Sequence, residues 1–137
     1  MKYTKIINVI ILLLLVFQFT DLKAKVKPTF KQKFSLNGII NSPSEVSLSP
    51  DGTKIFFSSF ANDKFEQYTL TVPFDISSLD TSTKIQFDLK AGDDDIFNAQ
   101  GHAFNSDGTK FFVVSKTDSA TQLNAHSLSR PYDLSSD

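Results

Sequence analysis

The densest group of residues with potential chemistry is a run of three aspartates, Asp93, Asp94 and Asp95, directly after Ala91-Gly92. Hard cations prefer several carboxylate oxygens as ligands, which makes this run a candidate Ca²⁺ site. Its spacing does not match an EF-hand loop, and a solvated loop between strands explains three neighbouring aspartates without a metal. The run is missing from the other copy of the sequence repeat described below, and loops inserted into repeats often carry binding.

The chain contains two histidines, His102 and His126, and many serines. A zinc site or an acid–base pair needs a cluster of partners, and the sequence places none beside either histidine. We therefore expect both histidines to lie in strands and to make local hydrogen bonds. The sequence also contains no Gly-x-Ser-x-Gly elbow and no glycine-rich phosphate loop. We predict a non-enzymatic protein with no catalytic residue and no cofactor other than Ca²⁺ at the aspartate run.

A second set of aspartates lies in a repeated tetrapeptide. Asp51-Gly52-Thr53-Lys54 returns 56 residues later in the chain. Asp-Gly between two apolar runs predicts a hairpin turn, because glycine adopts positive φ without a steric penalty and aspartate caps its own backbone. A residue that occurs once in each copy is better explained by the fold than by chemistry. The predicted structural turn residues are Asp51, Gly52, Thr53, Asp107, Gly108 and Thr109.

The surrounding sequence repeats in the same order. The matched blocks are residues 46–59 with 102–115, residues 70–78 with 128–136, and Phe34-Ser-Leu36 with Phe87-Asp-Leu89. Three blocks in one order indicate an internal duplication. We place the two repeats at about residues 30–89 and 90–137.

Short aromatic or alternating runs around the turns predict strands, and no helix is predicted after residue 24. The predicted strands are Phe30–Leu36, Val46–Leu48, Ile55–Ser59, Glu66–Thr71, Lys84–Leu89, His102–Phe104, Phe111–Ser115 and Gln122–Leu128. The two Pro-aromatic-Asp segments predict loops whose rings, Phe74 and Tyr132, pack against a sheet edge. This pattern favours an all-β, β-propeller-like fold with two four-stranded blades over its main rival, a sandwich.

Two phrases in the sequence resemble a propeller-like repeat of uncharacterised exported bacterial and viral proteins. They are Phe104-Asn-Ser-Asp-Gly-Thr-Lys-Phe-Phe-Val-Val114 and Tyr68-Thr-Leu-Thr-Val-Pro-Phe-Asp-Ile-Ser77. The turn that begins at Pro50 is also similar to blade turns of TolB-type and lactonase-type propellers. The resemblance implies a β-propeller and an exported protein, and it carries over no catalytic residue. The second copy departs from the pattern at Ser106, which replaces the turn proline, and at His126, which replaces Tyr68.

The first 24 residues have the three parts of a secretory signal peptide. Lys2 and Lys5 give a positive start, 14 mostly apolar residues run from Ile6 to Phe19, and Ala24 offers a cleavage position. An uncleaved membrane anchor is the alternative, but about 20 apolar residues are needed to span a bilayer. We therefore predict a mature chain of residues 25–137 in the periplasm or extracellular space, without a stable membrane anchor.

The net charge bears on the partners of the chain, and the cysteine content bears on how the fold is stabilised. Removal of the leader takes away three lysines and one aspartate, which changes the formal charge from −1 to −3. This mild acidity provides no electrostatic footprint for nucleic acid, so we predict no nucleic-acid partner. The chain has no cysteine, so apolar burial must stabilise it without disulfides, and 14 phenylalanines are available for that burial.

Two repeats are too few to close a propeller of about four to eight blades. Either the sequence is the front of a longer protein, or several copies form a ring in which Phe30–Leu36 supplies the missing strand of a neighbour's second blade. The leading functional hypothesis is an exported, non-enzymatic module that binds a protein, a glycan or a surface component. The alternative is the N-terminal part of an exported propeller enzyme, lactonase-like or lyase-like, with acidic residues or histidines gathered from several blades.

Overall fold

The computed structural model of the chain describes residues 28–89, 98–116 and 120–135. The described residues form seven strands in two antiparallel sheets and contain no α-helix, which confirms the all-β prediction. The first sheet contains, in spatial order, β1 (Pro43–Leu48), β2 (Lys54–Ser59), β3 (Lys64–Leu70) and β4 (Leu79–Asp88). The second contains β5 (Ala99–Phe104), β6 (Lys110–Lys116) and β7 (Thr121–Ser127). A single 3₁₀ turn at Ile76–Ser78 leads into β4.

Both sheets are built on the same plan and belong to one compact unit that begins at Gln32. β1 pairs with β2, and β5 pairs with β6, each with an irregularity in the first strand. The irregularities lie at Pro43/Glu45 and Ala99/Gly101, which are equivalent positions of the sequence repeat. Within the described residues, the two sheets close into neither a barrel nor a propeller.

The repeated Asp-Gly-Thr segment forms the turn between β1 and β2 and again the turn between β5 and β6. Asp51 Oδ1 accepts hydrogen bonds from the amide and the hydroxyl of Thr53, at 3.0 and 2.9 Å. Asp107 Oδ1 accepts the same two bonds from Thr109, at 3.0 and 2.6 Å. The central glycines have φ of 70° and 71°, a left-handed conformation in which a Cβ would be strained. The two turns are therefore equivalent in hydrogen bonding and in backbone geometry.

The two Pro-aromatic-Asp loops pack on these turns. Phe74 donates its amide to the Gly52 carbonyl at 3.0 Å, and Tyr132 donates its amide to the Gly108 carbonyl at 2.9 Å. Each ring lies over its glycine so closely that a Cβ there would overlap the ring. Glycine is thus required for two reasons at each turn, its backbone angle and the space beneath the ring. The aromatic residues also have positive φ, a strain of about 1–3 kcal/mol each that these contacts must outweigh.

The first sheet packs against the second through a mainly aromatic core. We call the contacting surfaces the forward face of the first sheet and the rear face of the second. Fully buried Phe65 on the forward face stacks on Phe111 of the rear face, with ring centroids 4.9 Å apart. Phe56 contacts Phe104 at 4.6 Å. The other buried members of this core are Leu89, Ala99, Val113, Leu128 and Leu134.

The rear face of the first sheet is partly covered by an extended segment, which leaves Val46 on that face 55% exposed. The contacting residues are Ile40, Ile55, Phe57, Tyr68 and Leu70, with Leu36, Ile39 and Leu79 packed against them. The prediction of a strand at Phe30–Leu36 is wrong, because residues 28–36 form none. From Gln32 onward the chain crosses the sheet face, and the Gln32 side chain donates to Asp75 at 2.7 Å. A segment on a face has no neighbouring strand edge with which to form a ladder.

The second sheet has three strands in the described residues, which agrees with the three strands predicted for the second repeat and leaves the fourth strand of that blade as a prediction. After β7 the chain enters the loop that contains Pro131, where Tyr132 has positive φ and Leu134 is buried in the core between the sheets. Proline has no amide hydrogen to donate, so this loop does not extend the ladder. Within the described residues, β7 is therefore an edge strand.

We expect Gly108→Ala to lower the free energy of unfolding by more than Gly38→Ala does. Both glycines have positive φ, but a Cβ at position 38 meets open space, whereas one at position 108 would overlap the Tyr132 ring. The shared backbone cost is about 1–2 kcal/mol, and displacement of the ring adds to it at position 108 alone. Urea denaturation of both variants measures the difference. In a Tyr132→Ala background, Gly108→Ala should cost only the shared backbone penalty, because the ring that its Cβ would displace is gone. Equal losses in the Gly108→Ala and Gly38→Ala single variants would contradict this account.

Candidate functional site

His102 lies at the contact between the two sheets and is 5% exposed. Its Nε2 is 2.6 Å from Ser47 Oγ, and its Nδ1 is 3.2 Å from Ser58 Oγ. Its backbone amide donates to Glu45 Oε2 at 2.6 Å. The Phe65 ring packs edge-on against the imidazole, with centroids 4.6 Å apart. Three polar side chains of the first sheet thus converge on one residue of the second sheet.

This cluster contains a serine–histidine hydrogen bond, the pair that serves in nucleophilic catalysis. In hydrolases of that type a carboxylate orients the second imidazole nitrogen, whereas here the Ser58 hydroxyl contacts it. Burial lowers the pKa of His102 to about 4, and the nearby Glu45 carboxylate opposes this shift only in part. The imidazole is therefore neutral at pH 7 and enclosed. The geometry is better explained by hydrogen bonds that hold the two sheets together than by a catalytic site.

A wide, open groove of about 900 Å³ lies beside the rear face of the first sheet. One wall is the segment that precedes β1, and the other is formed by β3 and β4 together with the turn before β3. The polar side chains that line it belong to Asn37, Asn41, Ser42, Asn62, Lys64, Glu66, Lys84 and Gln86. Asn62 and Gln86 are exposed in the groove, and side-chain amides can donate and accept hydrogen bonds at once. The groove is therefore suited to a polar ligand.

An ion pair between exposed Lys84 and buried Glu66 shapes one wall of the groove. Glu66 is 3% exposed, lies 2.6 Å from Lys84 Nζ and accepts a hydrogen bond from the Tyr68 hydroxyl at 2.7 Å. Burial, together with the hydrogen bond to Glu66, raises the pKa of Tyr68 well above its ordinary value. The hydroxyl thus stays protonated and remains a donor to the carboxylate. Loss of either partner would leave Glu66 buried with fewer contacts, so we assign this cluster to the support of the groove wall.

The aspartates predicted to bind Ca²⁺, Asp93 to Asp95, lie outside the described residues, and so do residues 1–24 of the predicted leader. In the part of the chain that the structure describes, no three His, Cys, Asp or Glu side chains come together as metal ligands. No helix in residues 28–89, 98–116 or 120–135 has the length and apolarity to cross a membrane. His126, on β7, stacks on Phe111 with centroids 4.6 Å apart, so it lies in the core and not in the groove.

The turn aspartates are engaged in their caps. Hydrogen bonds from Ser49 and Thr53 lower the pKa of Asp51. Hydrogen bonds from Thr109 lower the pKa of Asp107 in the same way. Both carboxylates are therefore ionised at neutral pH while they hold the backbone of their turns, which accounts for them by folding alone.

The three first-sheet partners of His102 were not predicted from the sequence, although the repeat contains a signal for them. At the positions equivalent to Glu45, Ser47 and Ser58, the second copy has residues without polar side chains. These are Gly101, Ala103 and Val114. A polar set in one copy and an apolar set in the other indicates that equivalent faces of the two sheets meet different partners.

No family model, no curated protein and no solved structure matches this chain.

We expect the free energy of unfolding to fall as the pH drops from about 6.5 towards about 4. The pKa of His102 is about 4 in the folded chain and near its ordinary value of 6.5 in the unfolded chain, so the unfolded state takes up the proton first. The contribution of neutral His102 to the free energy of unfolding is fully present above its unfolded-state pKa. It is lost as the pH falls towards the folded-state pKa, by up to about 3 kcal/mol in total. Urea denaturation across this range measures the slope.

The variant His102→Gln keeps a hydrogen-bonding side chain but does not titrate, so its stability should be nearly independent of pH in this window. His126→Gln is the matched control and should retain the slope. A slope that persists in His102→Gln and disappears in His126→Gln would assign the effect to the other ring. The turn aspartates, whose pKa values are lowered, add a further loss below their ordinary value of 3.8.

Proposed function

We propose that this chain is an exported, non-enzymatic pair of β-propeller-type blades that binds a glycan in the groove beside the first sheet. The groove is the observation that carries the proposal, since its volume of about 900 Å³ falls in the range of small-ligand clefts. Sugar hydroxyls donate and accept hydrogen bonds together, and the side-chain amides along the groove offer the same combination.

The lining favours a glycan over a protein ligand. Protein interfaces take most of their binding energy from aromatic and arginine anchors that enter deep pockets. The described lining residues include neither an aromatic ring nor an arginine, and the groove is open to solvent. A shallow cleft with amides and paired charges is better suited to a chain of hydroxyl groups.

The arrangement of the sheets supports the propeller-type part of the proposal. The sheets have the same strand order and the same irregularity in their first strands, and β5 packs against β1 and β2. Propeller blades are successive antiparallel sheets that pack face to face about an axis. Export is supported by the leader-like sequence of residues 1–24.

A glycan array probed with the full chain should identify a bound sugar, and its affinity can then be measured by titration calorimetry. Gln86→Ala and Asn62→Ala each remove an exposed amide from the groove and should weaken binding by about tenfold. Gln100→Ala removes an exposed amide on β5, outside the groove, and should leave the affinity unchanged. Failure of the array to reveal any ligand, or an equal loss in Gln100→Ala, would rule out glycan binding in this groove.

A further inference from the structure

The second sheet has an apolar forward face, on the side opposite to its contact with the first sheet. Two cross-strand rows of side chains form it. The rows are Gly101–Val114–Leu123 and Ala103–Phe112–Ala125. Val114 is 40% exposed and Leu123 is 69% exposed, and the two are directly opposite each other on β6 and β7. A continuous apolar face of this kind is typical of an interaction site.

We propose that this forward face binds the rear face of the first sheet in a second copy of the chain, head to tail. The same contact already exists within one chain, where the forward face of the first sheet binds the rear face of the second. The equivalent rows of the first sheet are Glu45–Ser58–Phe65 and Ser47–Phe56–Gln67. The contact between copies would repeat this interface once more. This inference rests on the blade architecture proposed above and does not depend on the ligand of the groove.

The contact within one chain pairs polar residues, whereas the proposed contact between copies pairs apolar residues. Within the chain, His102 of the rear face meets two serines of the forward face. On the forward face of the second sheet the equivalents of those serines are Ala103 and Val114, and on the rear face of the first sheet the equivalent of His102 is Val46. Val46 is 55% exposed. Polar residues therefore meet polar residues inside one chain, and apolar residues would meet apolar residues between copies.

The segment Gln32–Leu36 would provide the fourth strand of the neighbour's second sheet. Its Phe34 is the repeat equivalent of Phe87, which lies opposite Phe65 in the ladder between β3 and β4. Phe34 already lines an apolar cavity of about 170 Å³ on the rear face of its own first sheet. In the head-to-tail contact, β7 of the neighbour would lie beside this segment, with Leu123 opposite Phe34. The strand-like sequence of the segment then has the partner that a single chain does not offer.

Symmetry limits the product of this contact. The described residues of each copy present one free rear face and one free forward face, so the interface joins two different surfaces and must either close into a ring or continue as a filament. The described sheets of two copies would number four, and closed propellers contain about four or more blades. A closed dimer or a somewhat larger ring is therefore the expected assembly.

Sedimentation velocity over a concentration series tests the contact on the full chain, produced in a host that exports it. The wild type should sediment as a dimer or larger ring. Val114→Lys and Val46→Asp each bury a charge in the interface and should raise its dissociation constant at least about tenfold, giving monomers. Val72→Lys is the matched control, because Val72 is 53% exposed in a loop that belongs to neither face, and it should still assemble. Circular dichroism confirms that each variant is folded.

Mixing the two monomeric variants gives the sharper result. In a ring with one copy of each, the lysine at position 114 faces the aspartate at position 46, and the second interface is wild type on both sides. The mixture should therefore restore the assembly that neither variant forms alone. A Val114→Lys chain that associates as the wild type does would overturn the proposal. A wild-type chain that stays monomeric would also overturn it, and this is the result expected if a different protein covers the face.

The groove is lined by residues of the first sheet and of the segment before β1, so monomeric Val114→Lys retains every lining residue and should bind glycan. Because the contact between copies covers the rear face beside which the groove lies, glycan binding is measured on this monomeric variant. Loss of assembly with retained glycan binding supports both proposals. Assembly without any glycan binding would remove the proposed ligand and leave the head-to-tail contact in place.

Discussion

The stacking of Phe65 on Phe111 lies at the centre of the contact between the two sheets, and the rest of the described structure depends on that contact. The chain has no cysteine, so burial of apolar area between the sheets must offset the entropy of ordering them. Burial also imposes a constraint on every polar group that it encloses, since each needs a partner. His102 meets that constraint through two serines of the opposite sheet, and the same burial keeps its imidazole neutral.

Local signals in the sequence were sufficient to predict the all-β class and the hairpins. Asp-Gly at two equivalent positions predicts turns with positive φ, and the structure has such turns there. The ends of the strands were harder to predict from the sequence, and β4 begins at Leu79 instead of the predicted Lys84. Residues 79–83 are mostly polar and show no alternation, yet they pair with the end of β3 after a shift in register, and Thr83 accepts a hydrogen bond from the Thr69 amide. Side-chain hydrogen bonds of this kind leave no periodic pattern in a sequence.

Contacts between residues that are far apart in the sequence could not be predicted from local sequence patterns. The cluster around His102 joins residues that are 44 to 57 positions apart. The groove combines the segment before β1 with β3, β4 and the turn before β3, and no motif marks its amides. The failed strand at Phe30–Leu36 has a related cause, because strand formation requires an edge to pair with and propensity alone does not provide one. Only the differences between the two copies held long-range information, and they are visible without a structure.

Those differences show how a repeat can control where its own stacking continues. Two identical copies would present identical faces, and any forward face could then bind any rear face, so order along the chain would be undefined. Of the two forward faces in the described residues, that of the first sheet offers hydroxyl groups to His102. An imidazole placed against Ala103 and Val114 would be buried without hydrogen bonds, which is costly. Polar matching within the chain therefore disfavours the wrong pairing, and the apolar match proposed above would favour the pairing between copies.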